Sequence, residues 1–173
     1  FIPTGSASYD FWGGNREGEN LFANSIIALN AKTGERIWHF QFVHHDLWDR
    51  DIPAPPNLVE INIDGKKIKA IAQVTKSGHV YVFERMSGEP LFPVEEIPVR
   101  PSELEGEKAW ATQPLPTHIP PFARQEFSED LINDMFPEAK ALLAWTPNQK
   151  DKILNKTITE VWKTLKSEGQ FIS

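Results

Sequence analysis

Residues 43–51 concentrate side chains that could carry out chemistry. They read Val-His-His-Asp-Leu-Trp-Asp-Arg-Asp, with two histidines and three carboxylates just after an apolar run. Burying such groups is costly, so their crowding at a strand end indicates a site. The residues alone leave three interpretations open: a metal site, a general base held by hydrogen bonds, or a structural corner that caps a turn. Adjacent His44 and His45 would point in opposite directions in an extended chain, which disfavours a shared metal.

Short β-rich runs surround this cluster and must position it. The pattern predicts strands over residues 25–29, 36–43, 58–63, 68–74 and 79–85. Gly, Asn and Asp residues punctuate these runs, as expected for turns. Asp64-Gly65 has the composition of a tight hairpin. The sequence therefore predicts a mainly β fold in this half of the chain.

An internal repeat relates two of the turns. Residues 28–38 align with residues 82–92 at a shift of 54, and each copy runs strand, hydroxyl-Gly-Glu turn, bulky aromatic. Repeats near this period suggest the blades of a β-propeller. The alternative is a coincidental pair of similar hairpins. Two copies are too few to close a ring.

Downstream of the repeat the character of the chain changes. Prolines are frequent from residue 93 to 121, which predicts an extended arm without regular helix or central strand. Beyond it, Ser128 is a suitable N-cap, and apolar residues recur at helical spacing up to Gly169. We therefore predict propeller blades over 1–93, a proline-rich arm over 94–127 and a pair of helices over 128–173.

Composition excludes several classes of function. The chain has 173 residues and a formal net charge of −6, which disfavours nucleic acid as a partner. No apolar run reaches the length needed to cross a bilayer. The chain contains no cysteine, so thiolate chemistry and disulfides are excluded. It begins as if in the middle of a strand, and we expect a piece of a longer protein.

Several segments together resemble the pyrroloquinoline quinone (PQQ)-dependent dehydrogenases, most closely the membrane-bound type of quinoprotein glucose dehydrogenase. The most characteristic are Thr-Gly-Ser at 4–6 and His-His-Asp-Leu-Trp-Asp at 44–49. The others are residues 7–16, 24–38, 53–56, 75–78, 88–96 and 112–125. They follow the family's order across most of residues 1–125, which is more specific than any single motif.

The resemblance implies a fold and an activity. The family fold is an eight-bladed β-propeller of antiparallel blades, of which this chain would supply about two. Its turns at 33–34 and 87–88 look like the family's tryptophan-docking motif, with Trp38 a good match and Phe92 a weaker one. The implied reaction is oxidation of a sugar or alcohol, with glucose to gluconolactone expected, by hydride transfer to PQQ. Electrons would pass to a membrane quinone, in the periplasm.

The resemblance also implies roles for three residues. Asp49 falls at the catalytic base, beside a calcium ion, and Lys76, 27 residues later, falls at the cation that hydrogen-bonds the quinone oxygens. Ser6 stands where the family commonly has an asparagine that binds calcium, and a hydroxyl is a poorer ligand than an amide oxygen. His44, His45 and Asp46 would mainly support the site.

Two other classes of protein remain alternatives. One is a non-enzymatic propeller scaffold, which would have no reason to keep a base and a cation at this spacing. The other is a degenerate sugar-binding module without redox chemistry, which only Ser6 favours. An isolated piece of this length is expected to be inactive, and its exposed sheet edges invite self-association.

Overall fold

A computed structural model describes residues 1–125. These residues form eight strands and contain no helix. The strands are β1 (Ile2–Pro3), β2 (Ser25–Leu29), β3 (Arg36–Gln41), β4 (Asn57–Ile63), β5 (Lys66–Val74), β6 (Val80–Glu84), β7 (Val94–Pro98) and β8 (Thr112–Pro116). The helices predicted over 128–173 lie outside the described residues. Within residues 1–125 no helix is long and apolar enough to span a membrane.

The strands form three antiparallel sheets, with the orders β1-β2-β3, β4-β5-β6 and β7-β8. The five strands predicted from the sequence are confirmed to within two residues at either end. The Asp64-Gly65 hairpin between β4 and β5 is confirmed as well, because both residues have positive φ, at 51° and 78°. That combination gives the type of tight turn whose twist matches the flanking strands.

The hydrogen bonds of the two turns confirm the internal repeat. After β2, the Gly34 amide donates to the Asn30 carbonyl at 2.8 Å. After β6, 54 residues later, the Gly88 amide donates to the Glu84 carbonyl at 3.0 Å. Gly34 and Gly88 share a φ of 76°. Glycine adopts this left-handed conformation without steric cost, which explains why both turns use it.

Trp38 joins the two halves of the repeat. Its indole Nε1 donates to the Arg85 carbonyl at 3.1 Å. Its ring also covers Gly88, where an added Cβ would lie 2.5 Å from Trp38 Cδ2. The tryptophan of the first sheet therefore packs on the glycine turn of the second, as the resemblance implies for Trp38. Phe92, the corresponding residue in the second copy, instead stacks on His118 with centroids 5.5 Å apart.

An aromatic core lies between the first two sheets. The Phe42 and Tyr81 rings are 4.8 Å apart, the Phe40 and Phe83 rings 4.9 Å, and the Trp38 and Phe83 rings 5.9 Å. The buried apolar residues of this core are Ile26, Ala28, Trp38, Phe42, Val43, Ile52, Ile71, Tyr81 and Phe83. Each large side chain removed from water contributes about 1.5–3 kcal/mol. This core fixes β3 against β5 and β6, and thereby the loops that leave these strands.

The two repeat glycines provide a matched pair for testing the contact with Trp38. Alanine at Gly34 would meet no described heavy atom within 4 Å, so it should cost only the left-handed strain, about 1–2 kcal/mol. Alanine at Gly88 carries the same strain and also clashes with Trp38, which should add about 1–3 kcal/mol. Denaturant titration of the full-length protein, followed by tryptophan fluorescence, would measure both losses. Equal losses would show that Trp38 does not dock on Gly88.

The proline-rich arm contains a sheet that the sequence did not predict. Strands β7 and β8 pair with Glu96 opposite Pro114 and Val94 opposite Pro116. The Thr117 amide donates to the Pro93 carbonyl. The backbone nitrogens of every second residue counted back from Thr117 therefore point toward β7, and the nitrogens of the two prolines point away. A strand tolerates proline where its missing N–H would face away from the partner.

A buried hydroxyl fastens this second hairpin to the core. The Tyr81 hydroxyl donates to the Pro114 carbonyl at 2.8 Å. Burial raises the pKa of Tyr81, so the phenol keeps the proton that it donates. The boundaries predicted at residues 93 and 127, and self-association through sheet edges, stay predictions.

Candidate functional site

Asp46 is the centre of the turn that carries the predicted site. Its side chain is buried, and its two oxygens accept four hydrogen bonds. Ser6 Oγ donates at 2.5 Å and Asn24 Nδ2 at 2.8 Å, both to Oδ2. The Arg50 amide also donates to Oδ2, at 2.5 Å, and the Trp48 amide donates to Oδ1 at 2.9 Å. The carboxylate therefore ties the turn to the loop before β2 and to Asn24 at the start of that strand.

The backbone of this turn enters the left-handed region at two residues, His45 with φ 45° and Asp49 with φ 54°. Aspartate and histidine are among the side chains that tolerate this region best. His45 is buried, and its Nδ1 donates to the Gly18 carbonyl at 2.7 Å. Arg16 Nη2 donates to the Asp46 carbonyl at 2.7 Å. The loop before β2 thus fixes the turn through these two hydrogen bonds, and His45 has a structural role in the turn.

Lys76 and Asp49, the two residues to which the resemblance gives chemical roles, lie in direct contact. Lys76 Nζ is 2.7 Å from Asp49 Oδ2. Asp51 Oδ2 lies 3.8 Å from the same ammonium. The Lys76 side chain is 46% exposed and that of Asp49 23%, so both are accessible to a ligand. The hydrogen bond to Asp49, with the negative charges around it, raises the pKa of Lys76, which keeps it cationic at neutral pH.

A tight turn between β5 and β6 presents Lys76. The Gly78 amide donates to the Thr75 carbonyl at 3.0 Å, and the Thr75 amide donates to the His79 carbonyl at 3.0 Å. Gly78 has φ 83°, and the Phe122 amide donates to its carbonyl at 2.8 Å. The base of the turn is therefore fixed from both sides. Lys76 projects from its tip toward Asp49.

Asp51 connects the cluster to the loop after β1. The Ser6 amide donates to Asp51 Oδ1 at 2.6 Å. Glycine at position 5 leaves room for this contact, because a Cβ there would lie 2.9 Å from Asp51 Oδ1. The bond from the Ser6 amide holds the pKa of Asp51 below its usual value. The positive charge of Lys76 also lowers the pKa of Asp51, against the effect of burial.

The described residues offer only part of a metal site. Within residues 1–125 no group of three or more His, Cys, Asp or Glu side chains is arranged to hold a metal ion. Calcium takes about six to eight oxygen ligands, so these residues do not form a calcium site on their own. Ser6 Oγ already donates to Asp46 and accepts from Asn24 Nδ2 at 3.0 Å. Asp49 and Ser6 as calcium ligands stay predictions.

The cluster has a side chain that can hold a quinone. An ammonium group has three N–H donors, so the short contact with Asp49 leaves Lys76 able to donate to a carbonyl oxygen as well. The side chain is half exposed at the tip of a rigid turn, where a flat ligand can reach it. The residues present therefore fit the part that the resemblance gives to Lys76 in binding PQQ.

His44 is directed away from Asp49 and toward the second hairpin. Its amide donates to Gln113 Oε1 at 2.8 Å, and Gln113 Nε2 donates to its carbonyl at 2.7 Å. Its ring contacts Gln41 Oε1 at 2.6 Å and Glu96 Oε1 at 3.2 Å. His44 therefore anchors β7 and β8 to the end of β3. No local pattern indicates these contacts, because Gln113 binds His44, 69 residues away along the chain, and Arg16 binds the Asp46 carbonyl, 30 residues away.

Comparison with known proteins gives the family. The family model described as "PQQ: Glucose/ethanol/alcohol dehydrogenase, beta-propeller domain" matches residues 1–156. The quinoprotein glucose dehydrogenase of Escherichia coli (strain K12) is 44% identical over 116 residues, covering 66% of this chain and 15% of the relative. Quinoprotein glucose dehydrogenase A of Acinetobacter calcoaceticus is 44% identical over 122 residues, with the same coverage of 66% and 15%.

A third relative has a different substrate in its name. The quinate/shikimate dehydrogenase (quinone) of Acinetobacter baylyi is 40% identical over 131 residues, covering 75% of this chain and 16% of the relative. The chain thus spans about 15% of the length of the curated relatives that it matches. The predicted mainly β, partial-propeller fold is confirmed by the family match and by the sheets of residues 1–125. The chain belongs to the PQQ-dependent glucose/ethanol/alcohol dehydrogenase β-propeller family.

Proposed function

We propose that the full-length protein is a quinoprotein dehydrogenase that oxidises a sugar or alcohol hydroxyl, with glucose as the first substrate to test. Family membership supports the reaction class, and two of the relatives are glucose dehydrogenases by name. The name of the quinate/shikimate relative includes a quinone, which supports a membrane quinone as the final electron acceptor. We propose a periplasmic location for the protein on the family resemblance alone.

The observation that carries this proposal is the 2.7 Å contact between Lys76 Nζ and Asp49 Oδ2. Two separate turns, one after β3 and one after β5, bring these side chains together. Each turn is fixed by its own hydrogen bonds, through Asp46 in the first and Thr75 in the second. A solvated lysine or a turn-capping aspartate would not require a partner at this position. A carboxylate and a cation that are in contact and partly exposed can serve as the base and the cofactor-binding group of a redox site.

The two residues divide the work on the substrate. Asp49 accepts the proton of the substrate hydroxyl, which requires its carboxylate to reach the hydroxyl at hydrogen-bond distance. Lys76 holds the ligand by donating to a carbonyl oxygen, and its positive charge stabilises negative charge that develops there. When bound, the quinone supplies the acceptor for the hydride that leaves the carbinol carbon. Loss of one proton and one hydride leaves a carbonyl product or, from glucose, the lactone.

Reconstitution of the full-length protein with PQQ tests the proposal. Dye-linked oxidation would be measured for glucose, quinate, glycerol and ethanol, with the apoprotein as the control. We expect PQQ-dependent turnover of at least one of these substrates. Sugar binding without turnover while Asp49 is intact would instead support a sugar-binding module. If the protein neither binds nor oxidises any of these substrates, the result would support a non-enzymatic scaffold.

A further inference from the structure

The proposed function gives no role to the buried carboxylate of Asp46. Asp46 is 2% exposed, and none of the ion pairs found in residues 1–125 involves its side chain. A carboxylate buried without a contacting cation must be held by hydrogen bonds. Asp46 accepts four, from two side chains and two backbone amides. Such a complete set at the base of the Asp49 turn calls for an explanation.

We propose that Asp46 is the positioning residue that sets the Asp49 carboxylate against Lys76, a role that rests on the proposed function. Its two oxygens bind the amides on either side of Asp49. Oδ1 accepts from Trp48 N at 2.9 Å and Oδ2 from Arg50 N at 2.5 Å. The carboxylate therefore fixes the amide of the residue on each side of Asp49, and the Arg50 amide belongs to the peptide group that Asp49 itself forms.

The turn needs such a clamp because Asp49 has φ 54°. A residue other than glycine in the left-handed region is strained unless its surroundings determine the conformation. Relaxation of Asp49 to an extended φ would turn its side chain away from the tip of the β5–β6 turn. The clamp of Asp46 on Trp48 and Arg50 prevents this relaxation.

The other side of the Asp46 carboxylate is anchored in the sheet. Asn24 is fully buried at the start of β2, and its Nδ2 donates to Asp46 Oδ2 and also to the Arg50 carbonyl at 2.9 Å. Ser6 Oγ donates to the same oxygen of Asp46 from the loop after β1. Asp46 therefore fixes the position of the turn relative to β2. The ion pairs of Lys76 within residues 1–125 are with Asp49 and Asp51, so Asp46 acts through Asp49.

Asparagine at position 46 tests this role with almost no change in size. An amide has one oxygen and one NH₂ group, and both oxygens of Asp46 accept from N–H donors. In either orientation the new NH₂ group would face an amide hydrogen, of Trp48 or of Arg50. We expect the clamp to open in Asp46→Asn and the Asp49 carboxylate to lose its fixed position.

The experiment compares Asp46→Asn with Tyr81→Phe in the full-length protein loaded with PQQ. Tyr81→Phe also removes a buried hydrogen bond, to Pro114, but it lies in the core. We expect Asp46→Asn to lower kcat by about 10²-fold, since small displacements of a catalytic group cost that much. Substrate KM should change by less than about twofold. Tyr81→Phe should leave kcat unchanged even where it lowers the unfolding temperature.

Hydrogen exchange of the apoprotein gives a second readout that does not depend on activity. The Trp48 and Arg50 amides should exchange at least about tenfold faster in Asp46→Asn, and they should keep their protection in Tyr81→Phe. Unchanged exchange at both amides would overturn the proposal. So would a kcat no lower than that of Tyr81→Phe. If the parent protein shows no PQQ-dependent turnover, the proposed function fails, and if Asp49→Asn keeps full activity, the role of Asp49 as base fails. In both cases the exchange data still decide whether Asp46 holds the turn.

A milder variant covers the case in which Asp46→Asn does not fold. Ser6→Ala removes one of the four donors to Asp46. We expect a smaller fall in kcat and faster exchange of the Arg50 amide, with no change in the calcium concentration for half-maximal activity. A kcat that falls only because calcium binds more weakly would assign Ser6 to the metal and overturn its part in the clamp.

Discussion

Replacing Asp49 by asparagine is expected to lower kcat of the full-length protein by about 10²- to 10⁴-fold, the usual range for loss of the general base that we propose. Asparagine keeps the size of the side chain and its tolerance of the left-handed φ of 54°. It removes the carboxylate that, in the proposed function, accepts the proton of the substrate hydroxyl. Steady-state oxidation of glucose, or of whichever substrate is turned over, measures the loss at saturating PQQ.

Two further aspartates serve as comparisons for Asp49→Asn. Asp64 lies at the β4–β5 turn with φ 51°, so Asp64→Asn makes the same chemical change in a similar backbone conformation far along the chain from the cluster. It should leave kcat unchanged. Asp51 also faces Lys76, at 3.8 Å. A large loss in Asp51→Asn together with an active Asp49→Asn would transfer the role of base to Asp51.

The strands and the tight hairpin could be predicted because they depend on local sequence. Asp64 and Gly65 specify their own turn, and alternating apolar residues specify the strands on each side. The pairing of β7 with β8 could not be predicted in this way. Proline counts against a strand in a sequence pattern, whereas the structure places Pro114 and Pro116 where the missing N–H faces away from β7. Which edge a proline faces is decided by the partner strand.

The candidate site was predicted from the family resemblance, since the residues alone left a metal site, a base and a structural corner open. The structure brings Lys76 and Asp49 together, but it leaves their roles as proposals. The support around them was beyond the reach of the sequence. Asp46 binds Ser6 and Asn24, which are 40 and 22 residues away. No local pattern indicates such contacts.

Replacing Lys76 by methionine is the second change with a large expected effect. Methionine has a similar length and no charge, so the variant loses the hydrogen bond and the cation while it keeps the bulk of the side chain. We expect PQQ to bind about 10- to 100-fold more weakly, as for loss of a hydrogen bond to a charged group. At saturating PQQ, kcat should still fall by about 10²- to 10³-fold, because the charge that stabilises the reacting oxygen is missing.

Lys67→Met provides the matched control for Lys76→Met. Lys67 also forms an ion pair, 3.1 Å from Glu60, but the side chains of both residues are largely exposed, on β5 and β4. Exposed pairs contribute about 0–1 kcal/mol, so this variant should bind PQQ and turn over like the parent. Lys76→Arg separates charge from geometry, because the guanidinium keeps the charge in a larger planar group. If Lys76→Met binds PQQ as tightly as Lys67→Met, Lys76 is only the ion-pair partner of Asp49 and has no place in the cofactor site.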